Sequence, residues 1–138
     1  MTRVVVADDH AVVREGIRAI LRQAPDIEIV GEASNGVQAL RLVVEKAPDV
    51  LLLDLEMPGM NGVDVARQLS AARSPVRILA LSAYDDEQYI YGLLASGAAG
   101  YLLKEDAPAI LVDAVRGVSS GQRGWMSRHV AVRMAGRK

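Results

Sequence analysis

The chain alternates five times between two hydrophobic periods, and no other property restricts its fold as tightly. Residues 4–7, 27–33, 50–53, 76–81 and 99–103 are short runs rich in valine, isoleucine and leucine. Each is followed by a stretch whose apolar residues return every three or four positions, the spacing of one helix face. Val13, Ile17, Ile20 and Leu21 mark the first such stretch. The second opens at Asn35-Gly36, with Asn35 as its cap, carries Val37, Leu40, Val43 and Val44, and stops before Pro48. The third spans about 62–72, with Val63, Ala66 and Leu69 inward. The fourth starts near Asp85, runs to Ser96 and ends at Gly97; the fifth starts near Asp106, takes Pro108 in its first turn and ends near Gly121.

Strands that alternate with helices of 10–15 residues pair in parallel, because each helix carries the chain back across a sheet face. Strands 50–53 and 78–81 are apolar throughout, as central strands covered on both faces must be. The expectation is therefore an α/β fold: a doubly wound, five-stranded parallel sheet with five flanking helices. With 138 residues, 51% of them apolar, the chain can build one domain with a full core. Phenylalanine is absent, so aliphatic residues and alanine must fill that core. No apolar run approaches the roughly 20 residues of a membrane span. No cysteine is present, which excludes disulfides and thiolate chemistry and suits a cytoplasmic setting.

In open parallel sheets, ligands bind beyond the carboxyl ends of the strands. Asp8 and Asp9 follow the first strand, Asp54 ends the third, Ser82 ends the fourth and Lys104 follows the fifth. Three carboxylates brought together repel one another unless a hard cation sits among them, and an oxygen-only set favours Mg²⁺. Lys104 supplies a point charge for a phosphoryl oxygen or a carboxylate, and Ser82 supplies a hydroxyl donor. An aspartate in that company is a nucleophile that can become an aspartyl phosphate. Each residue alone has a plainer role. Asp8 or Asp9 could cap the first helix, Lys104 could be a surface lysine, and Tyr101 could be a packed strand aromatic. His10 is set aside as a ligand, since a Mg²⁺ site has no need of nitrogen. Met57 and Met60 are read as loop packing, and Gly59 and Gly62 as turn residues.

ADDH at 7–10, LLLDLEMPGMNG at 51–62, LSA at 81–83 and GYLLK at 100–104 together resemble the receiver domain of bacterial two-component response regulators. REGIRAIL at 14–21 and DIEIVGEASNG at 26–36 are most similar to the NarL/FixJ subfamily, whose members carry a LuxR-type helix-turn-helix after the receiver. The resemblance implies a flavodoxin-like strand order, 2-1-3-4-5. It implies Asp54 as phosphoacceptor, a sensor histidine kinase as donor, and Mg²⁺ held by Asp9, Asp54 and the Glu56 backbone carbonyl, with Asp8 acting through water. Lys104 would contact the phosphoryl group, Ser82 would swing to it, and Tyr101 would change rotamer with the hydroxyl. Ala83 matches a position kept small for access, and Glu56 and Tyr84 match positions that tune phosphoryl lifetime. Glu105 departs from the proline that often follows the lysine across a cis bond, which leaves that loop's geometry open.

The resemblance covers residues 3 to about 121, so 1–121 is read as the receiver and 122–138 as a basic linker or tail toward a DNA-binding domain expected beyond residue 138. Charge is also uneven along the chain, with its boundary earlier, inside the last helix. Residues 1–113 hold all 17 acidic residues and a net charge of −7, whereas 114–138 carry +6. The end of the tail, SRHVAVRMAGRK, could form a short helix with Val130 and Met134 stacked, or stay disordered. Ile110, Leu111, Val115 and Val118 exceed what one packing face needs, which points to a homodimer through the first and last helices. Three rival readings stand beside the switch. A phosphohydrolase of the haloacid dehalogenase type needs an aspartate two residues after its nucleophile, where this chain has Glu56. A dinucleotide-binding fold needs a glycine-rich loop where this chain has DDHAVVREG. A stand-alone receiver would work by protein contact only.

Overall fold

The structure, a computed structural model, describes residues 1–83, 87–126 and 128–135. All five expected strands form: β1 (Thr2–Ala7), β2 (Ile27–Ala33), β3 (Val50–Asp54), β4 (Arg77–Ser82) and β5 (Gly100–Leu103). Between them run α1 (Ala11–Leu21), α2 (Gly36–Lys46), α3 (Gly62–Ala71) and α4, described over Glu87–Ala95; α5 (Ala107–Ser119) follows β5. The start of α4 expected at Asp85 lies outside the described residues. Asn35 caps α2 by accepting the Gln38 N–H at 2.9 Å.

Every strand pair is parallel, and the order is β2-β1-β3-β4-β5-β6. The first five follow the expected 2-1-3-4-5. The sixth corrects the strand count: β6 (Trp125–Met126) adds to the β5 edge, and α6 (Arg128–Ala135) follows it as a sixth helix. The segment read as a linker therefore packs onto the body. Its strand has two residues, too few to show a period in the sequence, and forms because β5 offers unpaired backbone groups.

Strand alternation builds one core layer on each face of the sheet. Val5, Ala7, Leu51, Leu53, Ile78, Ala80, Tyr101 and Leu103 meet α2, α3 and α4, with Val130 of α6 in the same layer. Val4, Val6, Leu52, Leu79, Leu81 and Leu102 meet α1 and α5. Leu51, Leu52 and Leu53 are wholly buried, as central parallel strands require. The face expected on α2 is turned in the structure. Ala39 and Val43 are buried while Val44 is 82% exposed, because the helix meets the sheet along Ala39–Val43.

Leu111, Val115 and Val118 of α5 are also wholly buried, in the layer shared with α1. Their apolar surface serves the intramolecular core, so these three supply no free patch for the expected homodimer, whereas Ile110 is only partly buried.

Candidate functional site

The carboxyl ends of β1, β3, β4 and β5 meet at one edge, and they bring five polar side chains together. Asp8 and Asp54 are each 1% exposed, and Ser82 is equally buried. The turn after β3 sets the direction of Asp54. Leu55 and Met57 are buried and anchor it, Gly59 takes a positive φ of 75°, and Asn61 caps α3 by accepting the Asp64 N–H at 3.0 Å. Gly62 must come close: a Cβ there would stand 2.6 Å from Leu55 Cδ2 and 2.9 Å from the Asp54 carbonyl oxygen. Met60 packs on the core layer, as expected of the loop methionines.

Lys104 sits at the centre. Its Nζ lies 3.1 Å from Asp8 Oδ2 and 3.1 Å from Asp54 Oδ1. Asp54 Oδ1 also accepts the Glu56 N–H at 3.2 Å, whereas Asp54 Oδ2 is buried and accepts no hydrogen bond. Ser82 Oγ donates to Glu56 Oε1 at 2.7 Å. The Glu56 side chain thus takes part in the site. Lys104–Asp106 form a 3-10 turn, and there is no cis peptide bond among the described residues, so the Lys104–Glu105 bond is trans.

Asp8 and Asp9 do not cap α1 with their side chains. His10 is the N-cap residue and makes no capping bond. Asp8 Oδ1 accepts the His10 N–H at 2.9 Å, which turns its carboxylate toward the strand ends. His10, set aside on chemical grounds, belongs to the cluster: its Nδ1 lies 3.0 Å from Asp9 Oδ1 and 3.4 Å from Asp8 Oδ1. One donor atom from each of Asp8, Asp9, His10 and Asp54 lies within 4.8 Å of the others. The signal that could have found it is its place directly after two aspartates at a strand's carboxyl end.

The electrostatics follow from crowding. The Asp54 carboxyl is pushed up to about 6, first by burial, then by the Glu56 carboxyl and the Asp8 charge; Lys104 opposes the rise. Burial pulls the Lys104 ammonium down, but Asp54 and Asp8 overcome it and hold it above its ordinary value. Excess negative charge around the buried Asp8 and Asp54 carboxylates, with Asp9 beside them, is a donor set that a divalent cation fits. Tyr101 is wholly buried on β5 beside Ala80, two residues before Ser82, and Ala83 is exposed. Tyr84 lies outside the described residues.

Comparison with known proteins places the fold in a family. Residues 4–116 match the response regulator receiver domain model. The chain is 43% identical over 122 residues to the transcriptional regulatory protein LiaR of Bacillus subtilis, covering 88% of this chain and 58% of LiaR. The signal receiver domain of NarL from Mycobacterium tuberculosis superposes with a TM-score of 0.84 at 42% identity, over 88% of this chain and 98% of that one. A two-component response regulator of the LuxR family from Aurantimonas superposes with a TM-score of 0.92 at 33% identity, over 99% and 97% of the two chains. The chain spans 50–58% of the length of the first curated relatives it matches.

Proposed function

The chain belongs to the response regulator receiver family, and from that premise we propose that it is a switch set by a phosphoryl group on Asp54. The observation that carries this is the unequal state of the two Asp54 oxygens. Oδ1 is held by Lys104 and the Glu56 N–H, while the buried Oδ2 has no partner and is the nucleophile.

The donor is a phosphohistidine of a sensor histidine kinase. The Oδ2–P bond forms as the donor's P–N bond breaks, and the departing imidazole nitrogen takes a proton from water. Lys104, already 3.1 Å from Oδ1, shifts its ammonium onto the incoming phosphoryl oxygens. Ser82 exchanges Glu56 Oε1 for a phosphoryl oxygen, a swing that leaves strand β4 in place. Asp8, Asp9 and Asp54, with the Glu56 carbonyl, would hold Mg²⁺, and the donor set places His10 beside them. When bound, the cation neutralises the carboxylates and the charge on the transferring group. Tyr101 responds to the Ser82 movement. The chemistry is self-phosphorylation and self-dephosphorylation, with no turnover of a separate substrate.

No described helix is long and apolar enough to cross a membrane, and the switch is assigned to the cytoplasm with its kinase. Longer relatives are named transcriptional regulators, and control of transcription here is assigned to a DNA-binding domain joined beyond residue 138. The test is intact mass after incubation with Mg²⁺ and acetyl phosphate. The wild type should gain one phosphoryl group, and Asp54→Asn should gain none. An equal gain in the variant, or none in the wild type, would overturn the reading.

A further inference from the structure

Residues 122–126 are fitted to the sheet edge in detail. Trp125 pairs with Gly100 and Met126 with Tyr101 in parallel register, and the Trp125 N–H donates to the Ala99 carbonyl at 3.2 Å. The two side chains straddle the edge. Trp125 packs on the α1–α5 layer, whereas Met126 packs on the opposite layer with Tyr101 and Val130.

Two glycines make the room. A Cβ at Gly100 would stand 2.6 Å from the Trp125 carbonyl oxygen and 2.7 Å from its Cβ. A Cβ at Gly117 of α5 would run into the Trp125 indole, 2.7 Å from Cε2, and into the Gln122 side chain. The indole N–H donates to Gln122 Oε1 at 2.8 Å, and the Gln122 N–H donates to the Gly117 carbonyl at 2.9 Å. A solvated linker has no use for such a fit.

We propose that the β6–α6 segment is a latch, seated by Trp125 against Gly100 and Gly117, that is coupled through Tyr101 to the phosphoacceptor edge. The proposal rests on Asp54 being phosphorylated. Ala80 lies beside Tyr101 and Ser82 beside Leu103 in register, so Tyr101 stands one strand and two residues from the hydroxyl. Met126 and Val130 lie in the core layer of Tyr101 and close its outer side. A docked latch therefore holds the ring inward. A phosphoryl group that draws Ser82 off Glu56 frees space on the inner side of the same layer. Both events favour the inward ring, so each strengthens the other, and the coupling is reciprocal.

The test uses the whole chain, whose one tryptophan is Trp125, so its emission reports the latch. Intact mass, tryptophan emission and hydrogen exchange of residues 100–103 and 122–126 are followed with Mg²⁺ and acetyl phosphate. In the wild type, phosphorylation should slow exchange in both segments about fivefold. Gly117→Ala should show red-shifted emission before any phosphorylation and, with the inward-ring state less populated, accumulate phosphoprotein about fivefold more slowly. Trp125→Ala, which deletes the seated group and builds in no clash, should show the same slow accumulation. Wild-type phosphorylation with unmoved emission and exchange, or wild-type rates in both variants, would overturn the latch. Absence of any phosphoryl gain in the wild type would instead strike the phosphoacceptor reading, and the coupling with it. Red-shifted emission in Gly117→Ala would then still show the docking.

Discussion

Two acid–base clusters in this molecule have similar partners and opposite behaviour. Asp26 and Arg116 meet at the surface through two hydrogen bonds of 2.8 and 2.9 Å, and Arg116 holds the Asp26 carboxyl below its ordinary value. Asp54 has an ammonium at 3.1 Å and still stands near 6. The difference is stoichiometry and water. At the surface one cation serves one carboxylate, and solvent serves the rest. At the strand ends one lysine serves Asp8 and Asp54 together, with Glu56 adjacent and both aspartates almost wholly buried. A close cation does not make a carboxylate comfortable when carboxylates outnumber cations in a dry site. That imbalance is a cost to the resting fold, and it leaves the site receptive to added positive charge.

Removing Lys104 should break this balance most severely. Lys104→Ala is expected to slow phosphorylation by acetyl phosphate about 10²-fold, as loss of one preorganised donor does. Without Mg²⁺ it should also destabilise the fold by about 2–3 kcal/mol in urea titration, since two buried carboxylates lose their cation. Unchanged values for both would remove Lys104 from the centre of the site.

The pH dependence comes next. Asp54 rises from an ordinary 3.8 to about 6 in the fold. Between those values the folded chain holds a proton that the unfolded chain has released, so stability falls as pH rises. The contribution is fully present below the lower value and gone above the higher one. Discounted for the shared Lys104 and residual hydration, the loss should be about 1–2 kcal/mol. Asp54→Asn should abolish this slope, and at pH 7.5 without Mg²⁺ it should raise the melting midpoint by a few degrees, the scale of ~1 kcal/mol in a chain this size. Differential scanning calorimetry at several pH values decides it, and a parallel slope in the variant would assign the titration elsewhere.

Mg²⁺ should raise the wild-type midpoint at pH 7.5 and raise that of Asp54→Asn less, because the variant has less excess charge to neutralise. Equal shifts would mean that the cation binds away from Asp54. The smallest effect belongs to the surface pair. Arg116→Ala should leave both melting midpoint and phosphorylation rate within experimental error, as exposed pairs contribute little. A large loss there would dissolve the contrast between the two clusters.

Much of this was legible in the sequence, for a physical reason. Helices such as Gly62–Ala71 carry their own period because each buries one repeating set of side chains, and a central strand such as Val50–Asp54 is apolar throughout because both of its faces are buried. The site was legible because parallel strands end on one edge, so a residue's place at a strand end is already a place in space. Three features were not legible. Val44 looked like a core residue and lies in solvent, since helix rotation is settled by packing against the sheet. The apolar residues of α5 looked surplus until α1 and four strands were set against them. His10 was set aside as a ligand, and its place beside Asp8 and Asp9 ahead of α1 comes from the packed chain rather than from any period.

By itself, then, the sequence determined the succession of strands and helices, the strands that lie at the centre, and the carboxylates, hydroxyl and ammonium that reach the carboxyl edge. All of these follow from local periodicity and chain direction. Tertiary structure alone decided that one lysine is shared by Asp8 and Asp54, that Ser82 rests on Glu56, and that Trp125 closes the β5 edge between two glycines. Those outcomes depend on distances between segments far apart in the chain, and only the closed, packed sheet sets them.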